Sequence, residues 1–224
     1  AKENLLWLEK EGKNLTLANA LAKLSKLQQV TAGFTYYNTV DNVEGDEIIN
    51  TERVTHNVER LLPNAKLEAL QEVIEELDDS EQVIVWTLFR EEVKIITEML
   101  TSLKITYSTI QGGMTSEQRE FALTSFKDGT ARILIAQMAA GAYGLNLMNA
   151  RYAVYYSNTF NYEHRVQSED RIHRMGQNRT CYYIDLVVNN SVDVLVRQNH
   201  ACKKTLGEST ITISDIESVL KRGI

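Results

Sequence analysis

The sequence predicts an α/β fold: a mainly parallel central sheet covered on both faces by helices. Three observations carry this reading. Short runs rich in Val, Ile and Tyr recur from residue 83 onward, helical segments alternate with them, and polar or Gly-containing turns separate the two. Strand–helix–strand crossovers of one hand put helices on both faces, so the alternation favours parallel pairing.

The elements follow in order. Leu17, Leu21, Leu24 and Leu27, spaced by four and three within residues 14–31, predict an amphipathic helix. Tyr36-Tyr37 and Ile48-Ile49 flank the turn-like Glu44-Gly45-Asp46, which predicts a small hairpin within 35–57. A helix from Ala65 to Leu77 leads into the apolar run Val83-Ile84-Val85-Trp86. A helix from Arg90 to Leu103, a strand from Ile105 to Ile110 and a helix from Thr115 to Lys127 come next. In the last of these, Thr115 and Gln118 have the spacing of a capping box. A strand from Arg132 to Ala136, a Gly/Ala-rich loop and a strand from Tyr152 to Tyr156 follow. A helix from Tyr162 to Met175, a strand from Cys181 to Val187 and a helix from Ser191 complete the sheet region. Residues 1–62 read as a linker and flanking helix, 63–204 as the domain proper, and 205–224 as a helical tail.

At 224 residues, with 43% hydrophobic and 24% charged side chains, the chain is long enough for one α/β domain with a real core. A net charge of −6 argues against coating nucleic acid by bulk charge, yet leaves room for a local basic stripe. No apolar run approaches the roughly 20 residues of a membrane helix, and the first residues lack a signal-peptide core. A cytoplasmic location is therefore expected, and the absence of an initiator Met suggests a piece of a longer polypeptide. Cys181 and Cys202 lie far apart, and His56, His164, His173 and His200 have no metal-ligand spacing, so no metal site is expected. Tyr152, Tyr155, Tyr156, Phe160 and Tyr162 read as core and strand edge rather than as a base-stacking platform.

In parallel sheets, ligands gather at the carboxyl ends of strands. The informative loops are those after Trp86, Ile110, Ala136 and Tyr156. In the run Gln167-Ser-Glu-Asp-Arg-Ile-His-Arg174-Met-Gly-Gln177, a continuous helix would put Gln167, Asp170, Arg171 and Arg174 on one face, at offsets of zero, three, four and seven. Such a polar stripe can be a solvated face. It can also be two guanidiniums one turn apart, suited to neutralising a polyphosphate transition state.

This run resembles motif VI of the superfamily-two helicases, in the form found in SWI/SNF-type ATPases. Its ending, Arg174-Met-Gly-Gln177, sets it apart from the DEAD-box pattern. The resemblance extends from about Leu15 to Lys204. Ala139 to Leu147 looks like motif V, with Gly144 and Asn146 beside the nucleotide, although a tight turn packing a helix on the sheet would equally need its glycines. Trp86-Thr87-Leu88-Phe89 looks like motif IV. Gln111-Gly112-Gly113-Met114-Thr115 resembles the block that meets a DNA phosphate, where a glycine turn and a helix N-terminus can present amides. Relatives often carry Ser or Thr where this chain has Gln137 and Met138.

The resemblance implies a RecA-like three-layer sandwich, the helicase C-terminal lobe. It implies that Arg171 and Arg174 are arginine fingers, with Gly144, Asn146, Gln167 and Asp170 near ATP. Thr87, Gly112, Gly113 and Thr115 are expected on the DNA backbone. A Walker A loop is missing from the chain: its sole Gly-Lys, Gly12-Lys13, is followed by Asn14. ATP and Mg²⁺ are thus expected mainly on an N-terminal lobe of the same polypeptide. The chain alone is expected to be monomeric and inactive, with double-stranded DNA as the partner of the two-lobed motor. The compact spacing between blocks leans toward a prokaryotic or phage source, with a nucleoid association. Two alternatives stand beside this reading, a non-catalytic docking module and a strand-separating DNA or RNA helicase.

Overall fold

The computed structural model describes residues 17–43, 51–141 and 145–206. Helix α1 (Leu17–Thr31) precedes an antiparallel hairpin of β1 (Phe34–Val43) and β2 (Thr51–Arg60). Then come α2 (Ala65–Glu76), β3 (Val83–Thr87), α3 (Arg90–Ser102), β4 (Tyr107–Ile110) and α4 (Ser116–Lys127). The order ends with β5 (Ile133–Gln137), the short α5 (Met138–Gly141), β6 (Tyr152–Tyr155), α6 (Tyr162–Glu169), β7 (Tyr182–Asp185) and α7 (Val192–Leu206).

The five later strands form one sheet in the order β4-β5-β3-β6-β7, and every pairing in it is parallel. Central β3 is buried at all five positions, which is why Val83 to Trp86 reads as an unbroken apolar run rather than an alternation. Its side chains still point alternately to two cores. Val83 and Val85 join Ile133, Ile135 and Val154 against Leu70 and Ile74 of α2 and Val93, Ile96 and Leu100 of α3. Ile84 and Trp86 join Leu134, Ala153 and Tyr155 against Ala122 and Phe126 of α4, with Leu145, Leu147 and Ile172. The result is the expected three-layer sandwich.

Side-chain chemistry sets most helix starts. Asn64 caps α2 by accepting from the Leu67 amide at 3.2 Å, and the same side chain bonds the Tyr156 hydroxyl. Thr115 and Gln118 close the anticipated capping box on α4, at 3.2 and 3.0 Å. The hairpin is longer than expected, with ten residues in each strand. Its base is fastened to the domain: Phe34 is fully buried in the first core, and Arg60 meets Glu91 of α3 at 3.1 Å. The turn at 44–46 and the Ile48-Ile49 run lie outside the described residues, as does the expected helical tail beyond residue 206.

One buried ion pair joins three helices on this face. Lys66 of α2 lies 2.8 Å from Asp193 of α7, both nearly inaccessible to solvent. Thr31, at the end of α1, and the Val188 amide donate to the same carboxylate. A buried charge stripped of its partner keeps its full desolvation cost. Lys66→Met should therefore destabilise the protein by about 3–5 kcal/mol, read as a lower urea midpoint at unchanged slope. An unchanged midpoint would rule out this pair as a tie among the helices.

Candidate functional site

Parallel pairing sends all five strand exits to one edge, at Thr87, Ile110, Gln137, Tyr155 and Asp185. Side chains bond these exits to one another. Glu92, in the first turn of α3, is fully buried, and its Oε2 accepts from the amides of Leu88 and Phe89 at 2.7 and 3.1 Å. Oε2 also accepts from the Ser157 hydroxyl at 2.8 Å. Leu88 and Phe89 follow β3 and Ser157 follows β6, so one carboxylate holds two strand exits together. Gln137, at the end of β5, donates to the Leu88 carbonyl at 2.8 Å and accepts from the Gly112 amide at 3.1 Å. Arg90 then donates to the Gly112 carbonyl at 2.9 Å. Gly113 follows with φ +87 and packs so close to the Arg90 guanidinium that a side chain would be both strained and crowded.

The arginine-bearing segment lies beyond β6. Its helix, α6, starts at an Asn161 cap that accepts from the Glu163 amide at 2.9 Å. Buried Arg165 anchors it, stacking on the Tyr155 ring with its carbon 3.4 Å from the centroid and bonding Glu169, Asn158 and Asp185. The loop before α6 is held by α1 and α7: Gln28 donates to the Asn158 carbonyl, Asn199 donates to that of Phe160, and His200 Nε2 lies 2.7 Å from that of Thr159. The aromatic cluster is structural in part, since Tyr155 and Tyr156 are fully buried and Tyr152 stacks on Tyr182.

The expected helix over Tyr162–Met175 is corrected here. It ends at Glu169, with Asp170 as its C-cap. The next amides turn to tighter partners, Arg171 to the Ser168 carbonyl and Ile172 to that of Glu169. The Arg171 carbonyl, which would extend a helix, instead accepts from the Leu147 amide at 3.0 Å. Gln177 completes the departure by donating to the carbonyls of Met148 and Ala150, just past Gly176 at φ +104. No single helical face therefore carries Gln167, Asp170, Arg171 and Arg174.

Contacts with the 145–150 loop bring the segment into place instead. Gln167, Asp170 and Arg174 are exposed, and Arg171 is half-buried. Asn146 is exposed next to Leu147, its Oδ1 accepting from the Met148 amide at 3.4 Å. Gly144 lies outside the described residues. Thr87 is withdrawn from the DNA-facing set: it is fully buried and its hydroxyl points at the Ala136 carbonyl. Gly112, Gly113 and Thr115 do lie at the exposed edge, but the Gly112 amide is taken by Gln137 and the Thr115 amide by Gln118. By helix geometry, amides of the first turn of α4 remain turned outward. Among the described residues no cluster of three or more His, Cys, Asp and Glu is placed to hold a metal, and no helix is long and apolar enough to cross a membrane.

Sequence reading missed Glu92, Gln137 and Arg165. For Glu92 a signal existed, an acidic residue at the third helical position where it can reach back to the helix start. Gln137 carried none, because its partners are 25 and 49 residues distant; for Arg165 only the i,i+4 pairing with Glu169 was legible, its other partners lying 7 and 20 residues away.

Residues 65–176, half of the chain, match the helicase conserved C-terminal domain. The ATP-dependent helicase fft2 of Schizosaccharomyces pombe is 25% identical over 139 residues, 61% of this chain and 11% of that protein. The DNA repair protein RAD5 of Candida glabrata is 31% identical over 161 residues, 67% of this chain and 14% of that protein. The crystal structure of the C-terminal part of the Fun30 ATPase domain superposes with a TM-score of 0.60 at 20% identity, covering 72% of this chain and 53% of that one. That likeness bears on the fold. The chain spans between 11% and 18% of the curated relatives it matches. These relatives are fungal and lend no support to a prokaryotic or phage source.

Burial pushes the Glu92 carboxyl up to about 7 from its usual 4.5, against the three donors that favour its charge. A raised carboxyl pKa contributes stability below about pH 4.5 that is lost as pH rises to about 7. Glu92→Gln stays neutral throughout. Its thermal midpoint relative to wild type should rise between pH 5 and pH 8, and a difference independent of pH would refute the assignment.

Proposed function

The chain belongs to the family of helicase conserved C-terminal domains, and on that premise we propose that it is the second motor lobe of a SWI/SNF-type, DNA-dependent ATPase that translocates on duplex DNA. One observation carries the proposal beyond family membership. The Arg171 carbonyl and the Gln177 side chain bond the segment holding Arg171 and Arg174 to the 145–150 loop, which sets Arg171 against the Asn146-Leu147 stretch and leaves Arg174 exposed.

In this reading ATP is the substrate, held with Mg²⁺ mainly by a P-loop lobe elsewhere in the same polypeptide. Arg171 and Arg174 act across the cleft between lobes. Each brings a planar, permanently charged group to the γ-phosphate as negative charge spreads over its oxygens. Exposure of Arg174 suits this role, because a finger that works on another lobe must be free of its own core. Asn146, Gln167 and Asp170, all exposed, orient the nucleotide and the arginines in this reading. Gly113 and the first turn of α4 meet the DNA backbone through their amides, where the positive end of the helix dipole favours a phosphate. Closure on ATP and opening after hydrolysis move the two lobes along DNA. The names of the relatives, ATP-dependent helicase and DNA repair protein, support ATP and DNA as the substrate and partner. The lobe alone is inactive and monomeric in this reading, and works in the cytoplasm or wherever its DNA lies.

In the full-length polypeptide, Arg171→Ala and Arg174→Ala should each lower DNA-stimulated ATP turnover by roughly 10³- to 10⁵-fold while duplex binding is retained. Steady-state ATPase and a fluorescence-anisotropy titration measure the two. Near-normal turnover in both variants would sink the finger assignment.

A further inference from the structure

A continuous hydrogen-bonded path crosses the strand exits from the end of β6 to the glycine loop. Ser157 after β6 donates to Glu92, and the Leu88 amide after β3 donates to the same oxygen. The Leu88 carbonyl accepts from the Gln137 side-chain amide at the end of β5, and the Gln137 Oε1 accepts from the Gly112 amide after β4. Gln137 is the one side chain in this path that reaches the glycine loop, and it uses both a donor and an acceptor to do so. A Ser or Thr, with one short hydroxyl, could not span both partners from the same position.

We propose that Gln137 is a positioning residue for DNA engagement: it fixes the Gly112-Gly113 backbone to the sheet edge before DNA arrives. This rests on the reading that Gly113 and the α4 N-terminus meet a DNA phosphate. With its amide held by Gln137 and its carbonyl by Arg90, Gly112 has neither group left to swing toward the phosphate. The loop is thereby ordered in the free lobe, and its ordering entropy does not have to be met on binding. Gly113 and the first-turn amides of α4 then present a preset anion cradle. Gln137 itself touches no phosphate, so its loss weakens DNA engagement without slowing the step at ATP.

The variant Gln137→Met keeps length and volume and removes both bonds. Two measurements test it, with a thermal midpoint near wild type as the check on folding. In the 224-residue chain, amide hydrogen exchange by NMR should show Gly112 protected in wild type and at least about fivefold faster in the variant, the worth of one net hydrogen bond. In the full-length protein, the duplex DNA concentration for half-maximal ATPase stimulation should rise by about fivefold while the rate at saturating DNA is unchanged. Unchanged Gly112 exchange would overturn the latch. Faster exchange with an unmoved DNA concentration dependence would overturn its role in positioning. Wild-type turnover indifferent to duplex DNA would instead overturn the DNA reading and this role with it, while the exchange data still decide whether the latch exists. If Gln137→Met fails to fold, Gln137→Ser, whose short hydroxyl cannot span both partners, takes its place in both measurements with the same expected directions.

Discussion

Parallel pairing on both sides of β3 is the constraint from which the candidate site follows. A strand buried along its whole length with parallel neighbours must send each connection back over the sheet through a helix. Every strand then ends at the same edge, and residues far apart in sequence emerge side by side there. The chain has little choice about where its chemistry can sit. What it can choose is which side chains join the exits, and it uses Glu92, Ser157 and Gln137.

Those joints are of two physical kinds. Glu92 is a buried carboxylate facing three donors. Desolvation raises its pKa while its hydrogen bonds oppose the rise, and the balance leaves it titrating near neutrality. Gln137 is half-exposed and neutral, so its bonds bring geometry at little electrostatic cost. A third kind of joint lies below the edge. The Lys66–Asp193 pair, with Thr31 and the Val188 amide, lashes α1, α2 and α7 together under the loop that leads to the arginines. Asn199 and His200 of α7, one to two turns beyond Asp193, then hold that loop directly.

The arginine segment shows how tertiary contacts overrule a local pattern. Residues 162–175 carry a helical spacing that runs past Glu169. In the fold the helix closes at Glu169, the Arg171 and Ile172 amides turn back to Ser168 and Glu169, and the Arg171 carbonyl accepts from the Leu147 amide. Leu147 and Ile172 are themselves fully buried in the second core, so packing of apolar side chains fixes which amide is near. Thr87 follows from the sheet instead: in a strand buried at all five positions, either face encloses its side chain.

The sequence by itself determined the order of the strands and helices, the layered architecture, the capping box at Thr115 and Gln118, and the identity of the segments that converge. All of these rest on local periodicity, turn residues and caps, which act within a few residues. Only the tertiary structure decided that Arg171 and Arg174 leave the helix, that Thr87 faces the interior, and that Gln137 and Glu92 bind the exits to one another. Each of those outcomes depends on a hydrogen bond or packing contact between residues that are distant along the chain. No local pattern encodes these partners until the fold has brought them within reach.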